Sequence, residues 1–426
     1  HLQQNMQQRH VLIVGAGASG LAAACAASEA GARVTILEKN HVPGRKILST
    51  GAGKCNLTNA QINTARYYGG TKGFLDKTFA ACPPAGIREF FEGLGLLTVL
   101  DGEGRVFPRS MKAADVTNAL VNFITAKGAV LRTLTEVSAV KRIPDGFEVE
   151  ARGVRPKWDK RSEPGPKIIL NCDSLILAAG GPAYPQIGGS SSGYTLAASL
   201  GHAVLPPQPV IVPLKVKKSF IKQAAGVRLQ ASLELLAGGK ILARSSGEIL
   251  FTEYGLSGPA ILDLSRAAVL ALRSGPVNCR LDLFPEFSVK QLQSLLAARR
   301  EKMENRFWRD FICGLADERV LLLLSDLAGV GPDKLTGAVP ERIFSDFAGL
   351  LKSFELELSG PLGFEDAMAA AGGVETSEVS PETFGSKRTK DLFITGELLD
   401  IDGDSGGYNL HFAWTSGLLA GRAASR

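Results

Sequence analysis

Along the chain, the first strong signal is a short unbroken apolar run, His10–Val14, rich in β-branched residues and too short for a helix. It reads as a buried parallel strand. Gly15-Ala-Gly-Ala-Ser-Gly20 follows at once, and the alanine-rich Leu21–Ala30 has the composition of a helix lying close on a sheet. Gly31 stops that helix, and Arg33–Glu38 is a second strand, which completes a βαβ unit of about 30 residues. A loop rich in Gly, Thr and Asn spans Gly44–Asn59, and residues 70–100 are mainly helical. Ala113–Lys127 is an amphipathic helix with Val116, Leu120, Phe123 and Ile124 on one face and Gly128 as its stop. Strand-like stretches follow at Val130–Val140 and Gly146–Ala151, then a basic loop, then an apolar strand over Ile168–Ala179.

The texture changes at Leu205–Pro213, where four prolines mark a domain crossing. Short β-like runs recur from Val210 to Leu283. Ser288-x-x-Gln291 has the form of a capping box and opens a helix-rich stretch to about Phe354. Strand and glycine-loop texture returns at Thr395–Asn409, and the chain closes with a helix over Leu410–Arg422.

Composition sets the class. Of 426 residues, 45% are hydrophobic and 21% charged, ordinary for a globular chain of two or three domains. No apolar run reaches the roughly 18 residues of a membrane span, and no signal peptide is recognisable. The polar opening HLQQNMQQ reads as a tail outside the fold. Six scattered cysteines form neither a metal spacing nor a disulfide framework, so reduced thiols in a cytoplasmic protein are expected. The net charge of +6 gathers in Arg152–Lys167, Lys215–Lys222 and Arg299–Arg309. Solvated faces explain such clusters, and an anionic partner such as nucleic acid stays open.

The chemistry starts at Gly15-x-Gly17-x-x-Gly20, a dinucleotide fingerprint between a strand and a helix. The first glycine makes the tight turn, the second admits the pyrophosphate, and the third lets helix and strand pack closely. Ala16 and Ser19 lie within the same phosphate-facing turn. Glu38 ends the second strand, where a carboxylate accepts the adenosine ribose hydroxyls and repels a 2′-phosphate. These features do not separate FAD from NAD. The far end of the chain does. Asp391–Glu397 is a strand running into a Gly–acid corner at Gly396-Glu397, and Gly406-Gly407-Tyr408-Asn409 leads into the closing helix. A flavin uses such an element. Glu397 suits the ribitol hydroxyls, and the glycine backbone with the new helix start suits the flavin edge where negative charge accumulates on reduction. Ala179-Gly180-Gly181, at the end of an apolar strand, fits either a close crossing of the dinucleotide or a plain buried strand.

Four segments resemble a known family. They are Gly44-Arg-Lys-Ile-Leu-Ser-Thr-Gly-Ala-Gly-Lys-Cys-Asn-Leu-Thr-Asn59, Arg105-Val-Phe-Pro108, Gly247–Ala260 and Gly396–Asn409. Together they are similar to the signatures of the BaiN/RdsA-type (YhiN-like) FAD-dependent oxidoreductases, in the family's order from residue 10 to 421. Ala52 and Lys54 stand where the family has glycine and arginine, and His411 where it has glutamine. The resemblance implies an α/β fold: a Rossmann-like, glutathione-reductase-like FAD domain with an inserted β-rich domain that carries a small helical subdomain. Its bounds would be 10–205 with 360–426 for the FAD domain, 206–287 with 354–359 for the β-rich domain, and 288–353 for the helical insert. Further cofactor contacts are expected at Lys39, Arg45, Lys46, Lys54, Cys55, Asn56, Val137 and Asp400, beside those already named.

The resemblance also implies reduction of an unsaturated substrate with NAD(P)H as a transient reductant, since no second GxGxxG follows a strand. Members reduce small carbonyl-conjugated alkenes or make dihydrouridine in ribosomal RNA, so a small molecule and RNA are both expected partners. Such a reaction needs a proton from a positioned acid. Cys55 and His411 are the catalytic candidates, each with a plain structural role as its alternative. Lys54 and Arg45 suit either FAD phosphates or an anionic substrate, and Tyr254 suits turn packing or the site. Two other functions stay open: an FAD-dependent amine oxidase using oxygen, and a non-catalytic flavin- or RNA-binding protein.

Overall fold

The computed structural model describes residues 8–156, 159 and 165–426. The opening tail apart from Gln8, and most of the basic loop within Arg152–Lys167, lie outside the described residues. The chain divides into two compact units, one of residues 1–208 with 369–426 and one of residues 209–368.

The first unit is built on β1 (His10–Val14), α1 (Ala18–Glu29), β2 (Arg33–Leu37), α2 (Ala113–Ala126), β3 (Val130–Arg132), β4 (Ser174–Leu177), β5 (Leu392–Ile394) and α3 (Tyr408–Ala424). The five strands form a parallel sheet in the order β5-β4-β1-β2-β3. β1 is buried along its whole length, as a central strand of a covered parallel sheet requires. α1 is apolar nearly all round, and alanine lets it lie flush. Its partner is α3. A Cβ on Gly417 would come within 2.2 Å of the Ser19 carbonyl oxygen, and one on Gly421 within 2.2 Å of that of Ala23. The last helix is thus seated on the first by two glycines one turn apart.

Two sequence expectations resolve into more detail. The stretch Val130–Val140 breaks at Leu134, which takes a left-handed φ of 50°. The chain there leaves β3 and enters a separate antiparallel strand, Thr135–Ile143, paired with Gly146–Gly153. Ile168–Ala179 likewise breaks at Asp173, whose carboxylate accepts the His10 N–H at 2.6 Å. Before it, Lys167–Cys172 joins the antiparallel sheet; after it, β4 joins the parallel one.

The second unit is a closed antiparallel barrel of six strands: Leu214–Val216, Gly255–Ser257, Lys240–Phe251, Arg228–Ala237, Val277–Asp282 and Phe354–Pro361. Closure leaves no free edge. Leu233, Leu235, Phe251, Leu281 and Leu356 fill its interior. The helical stretch between the last two barrel strands opens with the expected capping box: Ser288 N–H donates to Gln291 at 2.8 Å, and Gln291 N–H donates back to the Ser288 hydroxyl at 3.3 Å. Trp308 centres that stretch, fully buried, its indole N–H on Ser325 at 2.8 Å.

Candidate dinucleotide and flavin site

The site lies at the carboxyl ends of the parallel strands. β1 runs into Gly15, whose φ of 104° and 2.4 Å approach of a would-be Cβ to the Ala178 carbonyl admit only glycine. Gly20 is as tightly held, since its Cβ would fall 1.9 Å from the Gly15 oxygen. Gly17 between them has no neighbour within 4 Å of a would-be Cβ, so the open side of the turn is where the fingerprint needs it. Gly17 caps α1 without a side-chain hydrogen bond, leaving the first-turn N–H groups for a ligand.

Glu38 is buried, at 7% exposure, with both carboxylate oxygens engaged. Oε2 accepts the Ala16 N–H at 2.8 Å; Oε1 accepts the Asn40 backbone and side-chain N–H groups, each at 2.7 Å. Asn40 escaped the sequence reading, although an amide two residues beyond a strand-end acid is a recognisable local motif. Lys39 and Arg45 are half-buried and Lys54 is exposed. Val137 is buried in the antiparallel strand whose first residue, Thr135, donates its N–H to the Glu38 carbonyl at 2.9 Å.

The far end of the chain meets this turn directly. Gly396, with φ 67°, sits where a Cβ would be 2.6 Å from the Ser19 hydroxyl, and its N–H donates to Ser416 at 3.0 Å. Glu397 accepts from Lys46 Nζ at 3.1 Å and from the Ala370 N–H at 3.1 Å. Lys46 also reaches the Gly181 carbonyl at 3.4 Å. Gly181 itself is confined, because a Cβ there would lie 3.2 Å from the Glu397 side chain and 3.3 Å from the Tyr194 hydroxyl. Tyr194, also missed from sequence, keeps its proton: burial, with the Glu397 carboxylate adding, raises its pKa above that of a free phenol. Asp400 is used by backbone, accepting from Gly70 at 3.3 Å and Gly372 at 3.1 Å.

A second cluster gathers around the start of α3. Gly406 and Gly407 have φ of 97° and 102°. A Cβ on Gly407 would come 2.7 Å from the Thr58 backbone and 2.9 Å from Asn56 Oδ1. Asn59 donates to the Gly406 carbonyl at 3.0 Å, and Asn409 makes two 2.8 Å bonds to Gly403. Tyr408 is buried, with Arg66 5.0 Å above its ring.

The two catalytic candidates lie inside this cluster, away from solvent. Cys55 is fully buried at a left-handed φ of 60°, and burial pushes its thiol up to about 12. His411 is fully buried, with Nδ1 2.7 Å from the Thr58 hydroxyl, and burial pushes it down to about 3, which keeps the imidazole neutral. Enclosure of both side chains is the opposite of what contact with a substrate demands. Among the described residues, no group of three His, Cys, Asp or Glu side chains is arranged to hold a metal, and no helix is long and apolar enough to cross a membrane.

A parallel sheet ending in this glycine turn, with a carboxylate at the second strand, defines a dinucleotide-binding domain of the Rossmann type. The chain belongs to the family described as HI0933-like protein Rossmann domain, whose model matches residues 9–423. It is 36% identical to a 3-dehydro-bile acid delta(4,6)-reductase of Clostridium scindens, over 97% of this chain and 98% of that one. It is 26% identical to a ribosomal RNA dihydrouridine synthase of Escherichia coli, over 96% of each. Among solved structures, its fold is similar to a 3-ketosteroid delta1-dehydrogenase of Sterolibacterium denitrificans, with a TM-score of 0.51, 12% identity, and coverage of 98% of this chain and 100% of that chain.

Proposed function

We propose that this protein is an FAD-dependent reductase that saturates a carbon–carbon double bond conjugated to a ring carbonyl, with electrons from NAD(P)H. The observation that carries the reading is the meeting of the two chain ends, Gly396 against Ser19 and Glu397 against Lys46. A nicotinamide dinucleotide needs only the first turn, whereas a flavin dinucleotide has a ribityl chain and ring system that call for a second arm.

The residues present fit FAD. The open face at Gly17 and the start of α1 would take the pyrophosphate, and Glu38 the adenosine ribose. Lys46 and Glu397 offer one donor and one acceptor to a polyol, whose hydroxyls need both. Gly406, Gly407 and the start of α3 would face the flavin ring edge. Bound FAD supplies the hydride chemistry. Asn56, Cys55 and His411 shape the wall behind Gly407; we assign Cys55 and His411 positioning roles because neither side chain reaches the surface.

The substrate class follows from chemistry shared by the relatives. A 3-oxo steroid with 4,6-unsaturation and the uracil ring both hold a C=C in conjugation with a carbonyl, so a hydride goes to the carbon remote from the carbonyl and a proton to the nearer one. The higher identity to the bile-acid reductase favours a polycyclic enone over RNA.

The test is anaerobic stopped-flow absorbance of the flavin band. NADH or NADPH is expected to bleach it, and a 3-oxo-4-ene steroid to restore it in a single turnover. Recovery with uridine-containing ribosomal RNA alone would move the substrate to RNA. A flavin that nicotinamide leaves oxidised, but that an amine reduces and oxygen reoxidises, would overturn the reductase reading in favour of an oxidase.

A further inference from the structure

Away from the dinucleotide site, basic side chains from separate segments meet at one cavity of about 420 Å3 in the first unit. The strand Thr135–Ile143 supplies Lys141 and Arg142, the helix Ser192–Ser199 ends there with Ser199, and the segment before β5 brings Arg388, Thr389 and Lys390. No acid lines it. The volume lies in the range that holds small-molecule groups.

The four cations divide into two kinds. The guanidiniums are held. Arg142 donates to the Gly146 carbonyl at 3.0 Å and lies 4.9 Å over the Phe147 ring, and Arg388 pairs with Glu378, which also meets His202 Nδ1 at 3.0 Å. The segment carrying Arg388 is fixed as well: the N–H groups of Arg388 and Thr389 donate to the Ser386 hydroxyl at 3.0 and 2.9 Å, and the Thr389 hydroxyl donates to the Leu200 carbonyl at 3.1 Å. The ammoniums are uncommitted. The Lys141 and Lys390 side chains are exposed and, among the described residues, form no ion pair or hydrogen bond. Glu148 is the cross-strand neighbour of Lys141, yet no ion pair joins them. Glu378 balances Arg388, so Arg142, Lys141 and Lys390 give the concavity its positive potential and repel one another until an anion arrives. Fixed guanidiniums flanked by exposed ammoniums match phosphate, whose oxygens accept from both.

Position separates this cavity from hydride transfer. Lys390 stands just before β5 and Gly396 just after it, and β5 runs parallel to β4 and β1. The cavity therefore lies at the amino ends of the strands and the glycine turn at their carboxyl ends. We propose that it is a phosphate-binding site, which holds phosphate esters of a ligand, or of a non-reacting part of a ligand, at a distance from the cofactor. A free nucleotide and an RNA strand both present that chemistry.

Lys141→Ala/Lys390→Ala changes two exposed side chains, and an unaltered flavin spectrum will report an intact fold. Thermal unfolding of the holoprotein is measured with pyrophosphate against chloride at equal ionic strength, and binding of ADP and of a short single-stranded RNA is measured by calorimetry. Pyrophosphate is expected to raise the Tm of the wild type and not that of the double variant, with ligand affinity falling about tenfold or more in the variant. RNA binding much tighter than ADP would make the source a strand; ADP binding as tight as RNA would make it a nucleotide. The proposal is overturned if pyrophosphate gives no shift in the wild type, or if the double variant shifts and binds as the wild type does. Neither readout depends on the reaction catalysed.

Discussion

In the proposed site, the turn at Gly15–Gly20 and the turn at Gly396–Asn409 would hold one cofactor by different means. Each sets glycine at positive φ ahead of a helix, Gly15 in the first and Gly396, Gly406 and Gly407 in the second. The first is built of backbone and closed within thirty residues, and Glu38 already accepts three N–H bonds. The second is assembled from distant segments: Lys46 with Glu397, Asn59 with Gly406, Thr58 with His411. Around it, the buried Asn56 Oδ1, Tyr194 hydroxyl and His411 Nε2 have no hydrogen-bond partner among the described residues. The adenine-side arm is thus complete in itself, while the flavin-side arm holds buried polar atoms in reserve, each at a cost of about 1–3 kcal/mol. Rigidity is local in one arm and long-range in the other.

That contrast is open to attack by substitution. Gly15→Ala is expected to do most damage, about 3 kcal/mol, because a φ of 104° and a 2.4 Å contact strain any side chain; a wild-type Tm would refute the rigid first arm. Glu38→Ala strands buried donors on Ala16 and Asn40, and is expected to weaken FAD by about a hundredfold. A variant that purifies fully yellow would remove Glu38 from the site. Glu397→Ala opens a carboxylate 23% exposed, so a smaller loss, about tenfold in FAD affinity, is expected by fluorescence titration.

The last effect is silent at neutral pH and shows only as a pH slope. His411 is held near 3 in the folded state against 6.5 for a free imidazole. The unfolded chain therefore binds a proton below about 6.5 that the folded chain refuses, and stability is complete above that pH and lost as pH falls toward about 3. His411→Gln is expected to flatten this slope by up to about 1.4 kcal/mol per pH unit in acid denaturation series. An unchanged slope would place the proton elsewhere, on the buried His10 or His202, which burial also lowers.

How legible each arm was follows from the same contrast. The glycine fingerprint, its strand and its acid are contiguous, so spacing alone located Gly15, Gly17, Gly20 and Glu38. Gly396-Glu397 and Gly406-Gly407 were visible as turns; Lys46 and Asn56 were expected at the cofactor only through the family resemblance and Tyr194 not at all, because all three reach these turns through the tertiary fold. The seating of α3 on α1 through Gly417 and Gly421 left no more than small residues in an apolar stretch. Burial was the least readable property. Cys55 and His411 were left between a catalytic and a structural role, because local sequence does not show that the packing of the loop 51–59 on the start of α3 encloses both. The breaks at Leu134 and Asp173 were hidden for a related reason, since an apolar run does not say which of two sheets its halves join.

The most direct test of a two-armed site is equilibrium titration of the apoprotein with FAD, followed by flavin fluorescence, in the wild type, Glu38→Ala and Glu397→Ala. Weakened FAD binding in both variants, with folded circular dichroism spectra and no compensating gain for NAD, is the expected result. Unchanged FAD affinity in Glu397→Ala, alongside a loss in Glu38→Ala, would contradict it, leaving a single-armed nucleotide site and no structural reason to prefer a flavin.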